Sequence, residues 1–374
     1  MRISSQFDSG NIEVVKADDP SDIRLNIRKD NQSDFYQWFH FRLSGVRDVM
    51  CRLTVENAGG AAYKEGFDDY RVCASYDREN WFRIDTAFDQ ETLNWSVEPD
   101  QDFIYFAYFA PYSMEQHADL IADVAASPLV RTSVLGHTLD GRDLDLVEIG
   151  HGAKGRKKIW LGARQHPGET MAEWWMEGAL DYLLDPDNPV ARALFQKAHF
   201  YIVPNMNPDG SARGHLRTNA AGANLNREWD TPTMERCPEV YLVREKMHET
   251  GVDFHMDVHG DEALPYNFIA GFEGIPNLRD GQLDLLDKYQ NILVKLSPDF
   301  QREHGYPVDA PGEANLSMCT NYIGEAFGCL AMTLEMPFKD NDDLPDEEYG
   351  WSPDRCRHLA RACIDTLHRM IDDL

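Results

Sequence analysis

The 374-residue chain is too long for one average domain and fits two, or one large α/β domain with an addition. With 64 acidic against 36 basic residues its formal charge is −28, which argues against binding nucleic acid or an anionic membrane through a general basic field. The amino terminus has no apolar signal core and no stretch reaches the roughly 18 consecutive apolar residues of a membrane span, so a cytoplasmic protein is expected.

Residues 1 to 112 read as short alternating or aromatic-rich runs, among them 12–15, 23–27, 36–43, 51–55, 71–76 and 103–109. Period-two patterning with Asn, Gly and Asp between the runs points to an antiparallel β-sandwich or barrel. The stripe Trp38, Phe39 and Phe41 is assigned to its core. After Pro111 the texture changes. Ser113 to Gln116 is a capped helix start, and Leu120, Ile121 and Val124 carry an apolar stripe through Ala126. Asp140-Gly141 marks a hairpin between strands 133–139 and 143–149. Strand 158–164 leads through a turn into a helix near 169–184, and strand 200–204 follows. Helix 239–249 precedes strand 252–258, helix 278–296 precedes a long irregular segment, and strand 330–334 and helix 353–372 close the chain. Strands alternating with helices are the signature of an α/β layer architecture. The expected division is therefore 1–112 and 113–374. The seven cysteines have no repeated short spacing, mostly sit in apolar runs, and read as buried free thiols.

Several of these strands end in residues of a chemical type: Arg164 and His166, Asn205 and Asn207, His259, and Glu335. In open α/β sheets ligands sit outside the carboxyl ends of strands, so one crevice collects them. His166-Pro167-Gly168-Glu169 places an imidazole and a carboxylate on a bent strand-to-helix turn, and His259 supplies a second imidazole where the chain leaves its strand. Two imidazoles and a carboxylate form the His₂Glu set of catalytic zinc sites, with a position left for water. His255 lies inside the strand and reads as a core or supporting histidine. Peptide hydrolysis also needs a group that deprotonates water and reprotonates the leaving amine, and Glu335 can do both in turn. The loop Arg217 to Arg227, with two arginines and several amides, is either a solvated loop held by Asx turns or a planar fork for a carboxylate. In so acidic a chain, arginines beside a metal set favour the fork.

His166-Pro167-Gly168-Glu169, Asn207-Pro208-Asp209-Gly210, Asn224-Leu225-Asn226-Arg227, Asp257-Val258-His259-Gly260 and Thr333-Leu334-Glu335 together resemble the zinc metallocarboxypeptidases. The resemblance is to their cytosolic carboxypeptidase branch, which carries an amino-terminal β-sandwich domain, and it covers nearly the whole chain. It implies a mixed sheet of about eight strands flanked by helices, one zinc ion per chain held by His166, Glu169 and His259, and Glu335 as general base and acid. It further implies that Arg217 polarises the scissile carbonyl, that Asn226 and Arg227 clamp a terminal carboxylate, and that the substrate is a peptide or protein carboxyl terminus. Two departures stand out. The mobile tyrosine of the family has no counterpart in its usual stretch, Tyr306 and Tyr322 being nearest. Thr320 stands where members that trim glutamate tails carry an arginine, so a strong preference for glutamate is not expected. Two other readings use the same residues: a zinc deacylase of N-acyl amino acids or amidase of cell-wall peptides, and a non-catalytic binding protein whose sandwich recognises a partner.

Overall fold

The period-two runs of the first hundred residues pair into two five-stranded sheets. The computed structural model describes residues 1–150 and 155–374. One sheet, in the order Arg2–Ser4, His40–Ser44, Phe103–Ala107, Val72–Ser75 and Phe82–Ile84, is antiparallel throughout. The other, in the order Glu13–Lys16, Ile23–Asn26, Cys51–Val55, Leu93–Val97 and Thr86–Phe88, departs from that pattern once, where Ile23–Asn26 runs parallel to Cys51–Val55. The sheets face each other through aromatic rings: Trp95 of one meets Phe106 of the other at 5.6 Å between centroids, and Phe39 stacks on Trp95 at 6.3 Å. Trp38, Phe39 and Phe41 are buried here, as expected of core. The ladder starts at His40, and just before it the Gln37 side-chain amide bonds both backbone groups of Tyr63 (2.8 and 2.9 Å).

The helix Met114–Ala125 opens with the expected capping box: the Gln116 amide donates to Ser113 Oγ (3.2 Å) and the Ser113 amide donates to Gln116 Oε1 (2.9 Å). Beyond it lies a mixed sheet, seven-stranded among the described residues, in the order Val130–His137, Asp143–Ile149, Ala198–Val203, Lys157–Ala163, Phe254–Asp261, Leu330–Pro337 and Phe268–Ala270. Its four central strands are mutually parallel and the outer pairs antiparallel. Every residue of Phe254–Asp261 and Leu330–Pro337 is buried; Leu330–Pro337 is mostly apolar, as a strand covered on both faces should be, whereas Phe254–Asp261 alternates apolar residues with buried His and Asp. Met171–Leu184 packs on both Phe254–Asp261 and Pro353–Met370, so the turn that precedes it is fixed to the sheet. All seven cysteines are buried and free.

Three local differences from the sequence reading bear on the site. Strand Phe254–Asp261 continues three residues past the expected end, and Leu330–Pro337 does likewise, because the two pair with each other as far as Asp261 and Pro337. His259 therefore lies within a strand and not where the chain leaves one. Residues 205–210, whose Asn, Pro, Asp and Gly read as a turn, include the start of the short helix Pro208–Arg213, with Asn207 Oδ1 accepting from the Gly210 amide (3.0 Å). The segment expected to be irregular before residue 330 contains the helix Cys319–Phe327, whose buried Cys319 and Ile323 turn inward.

The two sheet systems are tied together by buried polar contacts. Arg83 donates to the carbonyls of Phe338, Lys339 and Trp351 (2.8, 3.0 and 3.2 Å), and Tyr108 stacks on Phe338 at 4.6 Å. No helix among the described residues is long and apolar enough to cross a membrane.

Glu239, buried at the start of helix Pro238–Thr250, accepts from Asn219 Nδ2 (3.2 Å) in the loop that carries Arg217. Burial pushes its carboxyl up to about 7. A carboxyl that titrates higher when folded binds more protons in the native state, so its stabilising effect is complete below about pH 4.3 and is lost as pH rises to about 7. Glu239→Gln should therefore raise stability at pH 8 by on the order of 1–3 kcal/mol and change it little at pH 4, measured by urea unfolding of both proteins at the two pH values.

Candidate metal and catalytic site

Parallel pairing decides which side chains can meet. His259 is in register with Glu335, and Asp257 with Thr333, so these four side chains leave the same face of neighbouring strands about 4.8 Å apart. Strand Lys157–Ala163 lies on the other flank of Phe254–Asp261 and ends just before Arg164. The chain there must turn sharply. Arg164 takes a left-handed backbone (φ 61), which a bulky residue adopts only where its surroundings hold it. The hold is a buried guanidinium that donates to Tyr112 O (2.7 Å), Pro167 O (3.1 Å) and Glu173 Oε2 (2.5 Å). Glu173 also meets His117 Nδ1 at 2.6 Å, and although burial opposes it, the Glu173 charge and the Asp145 contact raise His117 to about 9. Gly168 is required within the turn, because a Cβ there would lie 2.8 Å from Leu216 O, the same oxygen that accepts the Gly168 amide.

The turn delivers His166 and Glu169 to the end of the sheet. His166 Nδ1 lies 2.6 Å from Glu169 Oε1, His259 Nδ1 lies 2.8 Å from Glu169 Oε2, and the two Nδ1 atoms are 3.1 Å apart. All three residues are buried and offer ligand atoms within 4.8 Å of one another. The outer nitrogen of each ring faces an oxygen: His166 Nε2 meets Asn224 Oδ1 at 3.0 Å and His259 Nε2 lies 2.8 Å from Asp257 Oδ2. Asn224 Oδ1 also accepts the Asn226 amide (3.1 Å), which fixes which end of the Asn224 amide faces the ring. The Asn224 oxygen places the His166 ring proton on Nε2, and with a cation bound and the His259 ring neutral both Nδ1 atoms would be available beside Glu169. Burial, helped by the Arg217 cation, pushes His166 down to about 4, whereas burial of His259 is outweighed by Asp257 and Glu169 and its pKa stands well above the ordinary value. Two lone pairs and a carboxylate converging in a buried space fit a divalent cation of the zinc type.

The remaining predicted residues gather around this cluster. Arg217 is nearly buried, with Nη1 3.9 Å from Glu169 Oε1 and its guanidinium against the rings of Tyr63 (5.1 Å) and Phe35 (5.7 Å). Glu335 Oε1 accepts from the Tyr306 hydroxyl (3.3 Å), while its buried Oε2 has no partner among the described residues. Burial raises the Glu335 carboxyl well above its usual range, His259 opposes the rise, and Glu169, Asp261 and Glu262 add to it. Asn226 is buried and accepts the Cys319 amide (2.8 Å); Arg227 is exposed and donates to Asn226 O (2.6 Å). A cavity of about 240 Å³ opens beside them, lined in part by Asn226, Tyr306, Thr320, Thr333, Glu335 and Glu273. Thr320 and Thr333 share a hydroxyl hydrogen bond of 2.7 Å. Among the described residues no Lys or Arg lines the cavity, and Glu273, half-buried, has neither ion pair nor hydrogen bond.

Other residues singled out in the sequence have supporting positions. His255 stands apart from the three-ligand cluster, with Nε2 4.0 Å from Cys319 Sγ, and burial pushes it down to about 4. Asn205 donates to Glu173 and Ser211, and Asp209 is buried under Thr138, Asp140 and Arg142. Tyr322 bonds His248 on the surface, so Tyr306 is the tyrosine at the site. The sequence reading gave no role to Asn224, Asp257, Asp30 or Tyr63. Asp257 had a legible signal, since two residues before His259 is the same face of a strand; Asp30 and Tyr63 had none.

Residues 3–109 match the model of the cytosolic carboxypeptidase N-terminal domain and residues 115–263 that of the zinc carboxypeptidases. The chain is similar over its whole length to a metallo-carboxypeptidase from Burkholderia cenocepacia, with 47% identity, complete coverage of both chains and a TM-score of 0.98. The chain belongs to the zinc carboxypeptidase family. It is likewise similar to a metallo-carboxypeptidase from Pseudomonas aeruginosa, solved in complex with (2-guanidinoethylmercapto)succinic acid, at 44% identity with complete coverage of both chains and a TM-score of 0.97. Human cytosolic carboxypeptidase 1 is 31% identical over 64% of the chain, which spans 23% of that protein's length. The chain is thus a peptidase of the metallocarboxypeptidase class, with the N-terminal domain of the cytosolic branch.

Carboxylate partners of metal-binding imidazoles raise ligand basicity and fix the ring. Asp257→Asn should therefore lower zinc affinity about 10–100-fold, read by chelator competition on the purified protein.

Proposed function

We propose that the chain removes the carboxyl-terminal residue of peptides or proteins, with one zinc ion per chain held by His166, Glu169 and His259. The observation that carries this reading is the convergence of three buried ligand atoms beside Glu335, which is in register with His259 and has one unpartnered carboxylate oxygen. Zinc in this set supplies Lewis acidity, acidifying the attacking water and polarising the scissile carbonyl. Glu335 then accepts the water proton and returns it to the leaving amine, acting as base and acid in turn. The buried Arg217 guanidinium donates to the developing oxyanion, an interaction worth about 2.7–4 kcal/mol where such donors are removed. Arg227 and Asn226 take the terminal carboxylate, which is what restricts cleavage to chain ends. We place the catalytic part at 113–374, preceded by the domain 1–112, and a cytoplasmic location suits the seven free thiols.

The cavity next to Glu335 and Asn226 is the natural place for the side chain of the residue removed. Among the described residues its lining has no cation to pair with a glutamate, and the Glu273 carboxylate there is unpaired. Burying a further carboxylate beside Glu273 and Glu335 would add to like charge, whereas a lysine or arginine head would be paired. The compound bound by the Pseudomonas aeruginosa enzyme, a guanidino group joined to two carboxylates, has the matching polarity. In a panel of model peptides, those ending in Lys, Arg or Leu should be cleaved at least as fast as the one ending in Glu. Exclusive cleavage of the Glu peptide would sink this part of the proposal. N-acyl amino acids run in the same assay should be poorer substrates than peptides, and the reverse would favour a deacylase.

Glu335→Gln keeps every metal donor and removes the base. It should bind zinc like the wild type and lose most turnover, on the order of 10²–10⁴-fold, with zinc content measured on the same sample as kcat.

A further inference from the structure

The amino-terminal sheets reach into the site from outside the catalytic part. The loop that leaves strand Ile23–Asn26 buries Asp30, and its carboxylate accepts the backbone amides of Leu216 (2.7 Å), Arg217 (2.8 Å) and Thr218 (2.9 Å) as well as the Thr218 hydroxyl (3.1 Å). Three consecutive amides aimed at one carboxylate fix the backbone on both sides of Arg217. Asn31 adds two contacts to the same loop: its amide donates to His215 Nε2 (3.1 Å), and its side chain donates to Ala220 O (2.7 Å). The guanidinium beyond this anchored backbone is sandwiched by Phe35 and Tyr63, both from the amino-terminal part, and Gln37 pins the Tyr63 backbone. Buried Arg217 Nε has no hydrogen-bond partner among the described residues, and the catalytic part acts on the head group through the charges of Glu262 and of Glu169, the latter 3.9 Å away.

We propose that Asp30 is a positioning residue for Arg217, and that the amino-terminal domain is thereby part of the catalytic apparatus and not an appended recognition module. The proposal rests on the oxyanion role given to Arg217 above. The physical basis is preorganisation. A long, flexible side chain stabilises charge in a transition state only if its position is fixed before the charge develops, and a misplacement of about 1 Å can cost about a hundredfold in rate. The anchor acts on a group that works in the transition state, so its loss should appear in kcat and leave KM and zinc content nearly unchanged.

The test is a double-mutant cycle on the zinc-loaded full chain with a carboxypeptidase peptide substrate. Asp30→Asn presents N–H donors to amides that need an acceptor, and should lower kcat at least tenfold with zinc content retained. Arg217→Ala alone should lower kcat by about 10²–10³-fold. In the Arg217→Ala background, Asp30→Asn should cost less than threefold, because there is no longer a guanidinium to position. Wild-type kcat in a folded, zinc-loaded Asp30→Asn protein would overturn the proposal, as would the same loss in both backgrounds, the mark of a merely structural role. Should Asp30→Asn fail to fold, Thr218→Val decides. It removes only the hydroxyl hydrogen bond to Asp30 and should lower kcat measurably at constant zinc content and KM, and unchanged kcat would overturn the proposal. Failure of the underlying reading is distinguishable, since it would show as an inactive wild type or as an Arg217→Ala protein with full activity.

Discussion

A carboxylate with no access to water must be answered by positive charge or hydrogen-bond donors, and at Glu169 that requirement organises the site. Its oxygens are met by His166, His259 and the Gly260 amide (3.1 Å), so the turn after one central strand and the body of the next are drawn to the same point. Burial alone would raise the carboxyl, but the two imidazoles outweigh it and hold it below its ordinary range. A buried charge that loses its partner costs about 3–5 kcal/mol, so the three side chains stand or fall together as a unit. The same geometry gives the cluster three groups that could hold a cation.

Around that unit the protein repeats one device, a buried ion or hydrogen-bond hub that fixes a loop. Glu173 joins Arg164 and His117 and so holds the left-handed backbone from which His166 projects. Asp257 backs His259, and Asp209 closes the hairpin after Val130–His137 onto the helix Pro208–Arg213. Asp30 performs the same service across the boundary between the two sheet systems. Loops carry the chemistry in α/β enzymes because strands can only end near a crevice; here the loops acquire rigidity from carboxylates that the sheets keep dry.

The formal charge of −28 acquires a local meaning in this arrangement. Two cations, Arg217 and Arg227, stand near the cluster, while the adjoining cavity contains Glu273 and, among the described residues, no cation. Charge is thus separated over a short distance, positive beside the cluster and negative in the cavity, which is the polarity that the proposed docking of a chain end would use. An overall acidic field says little about either, since a pocket's own groups dominate at contact range.

The fold was legible in the sequence wherever one periodicity ran long enough. The period-two runs before residue 110, the capping box at Ser113 and the alternation of strand and helix after it were of this kind, and the candidate pair His166 and Glu169 could be read from a strand, a Pro-Gly bend and a helix in succession. Residue type and spacing within a few positions were sufficient because those features are local. The extension of Phe254–Asp261 and Leu330–Pro337 depended on their pairing with each other, and the short helix Cys319–Phe327 on burial of Cys319 and Ile323, neither of which any window of sequence contains. Only the tertiary structure set His259 beside Glu335, chose Tyr306 over Tyr322, and brought Asp30 to Arg217 across 187 positions. The chemistry of a site is written in residue types, but its geometry depends on contacts between distant segments, whose partners become visible only when the chain is folded.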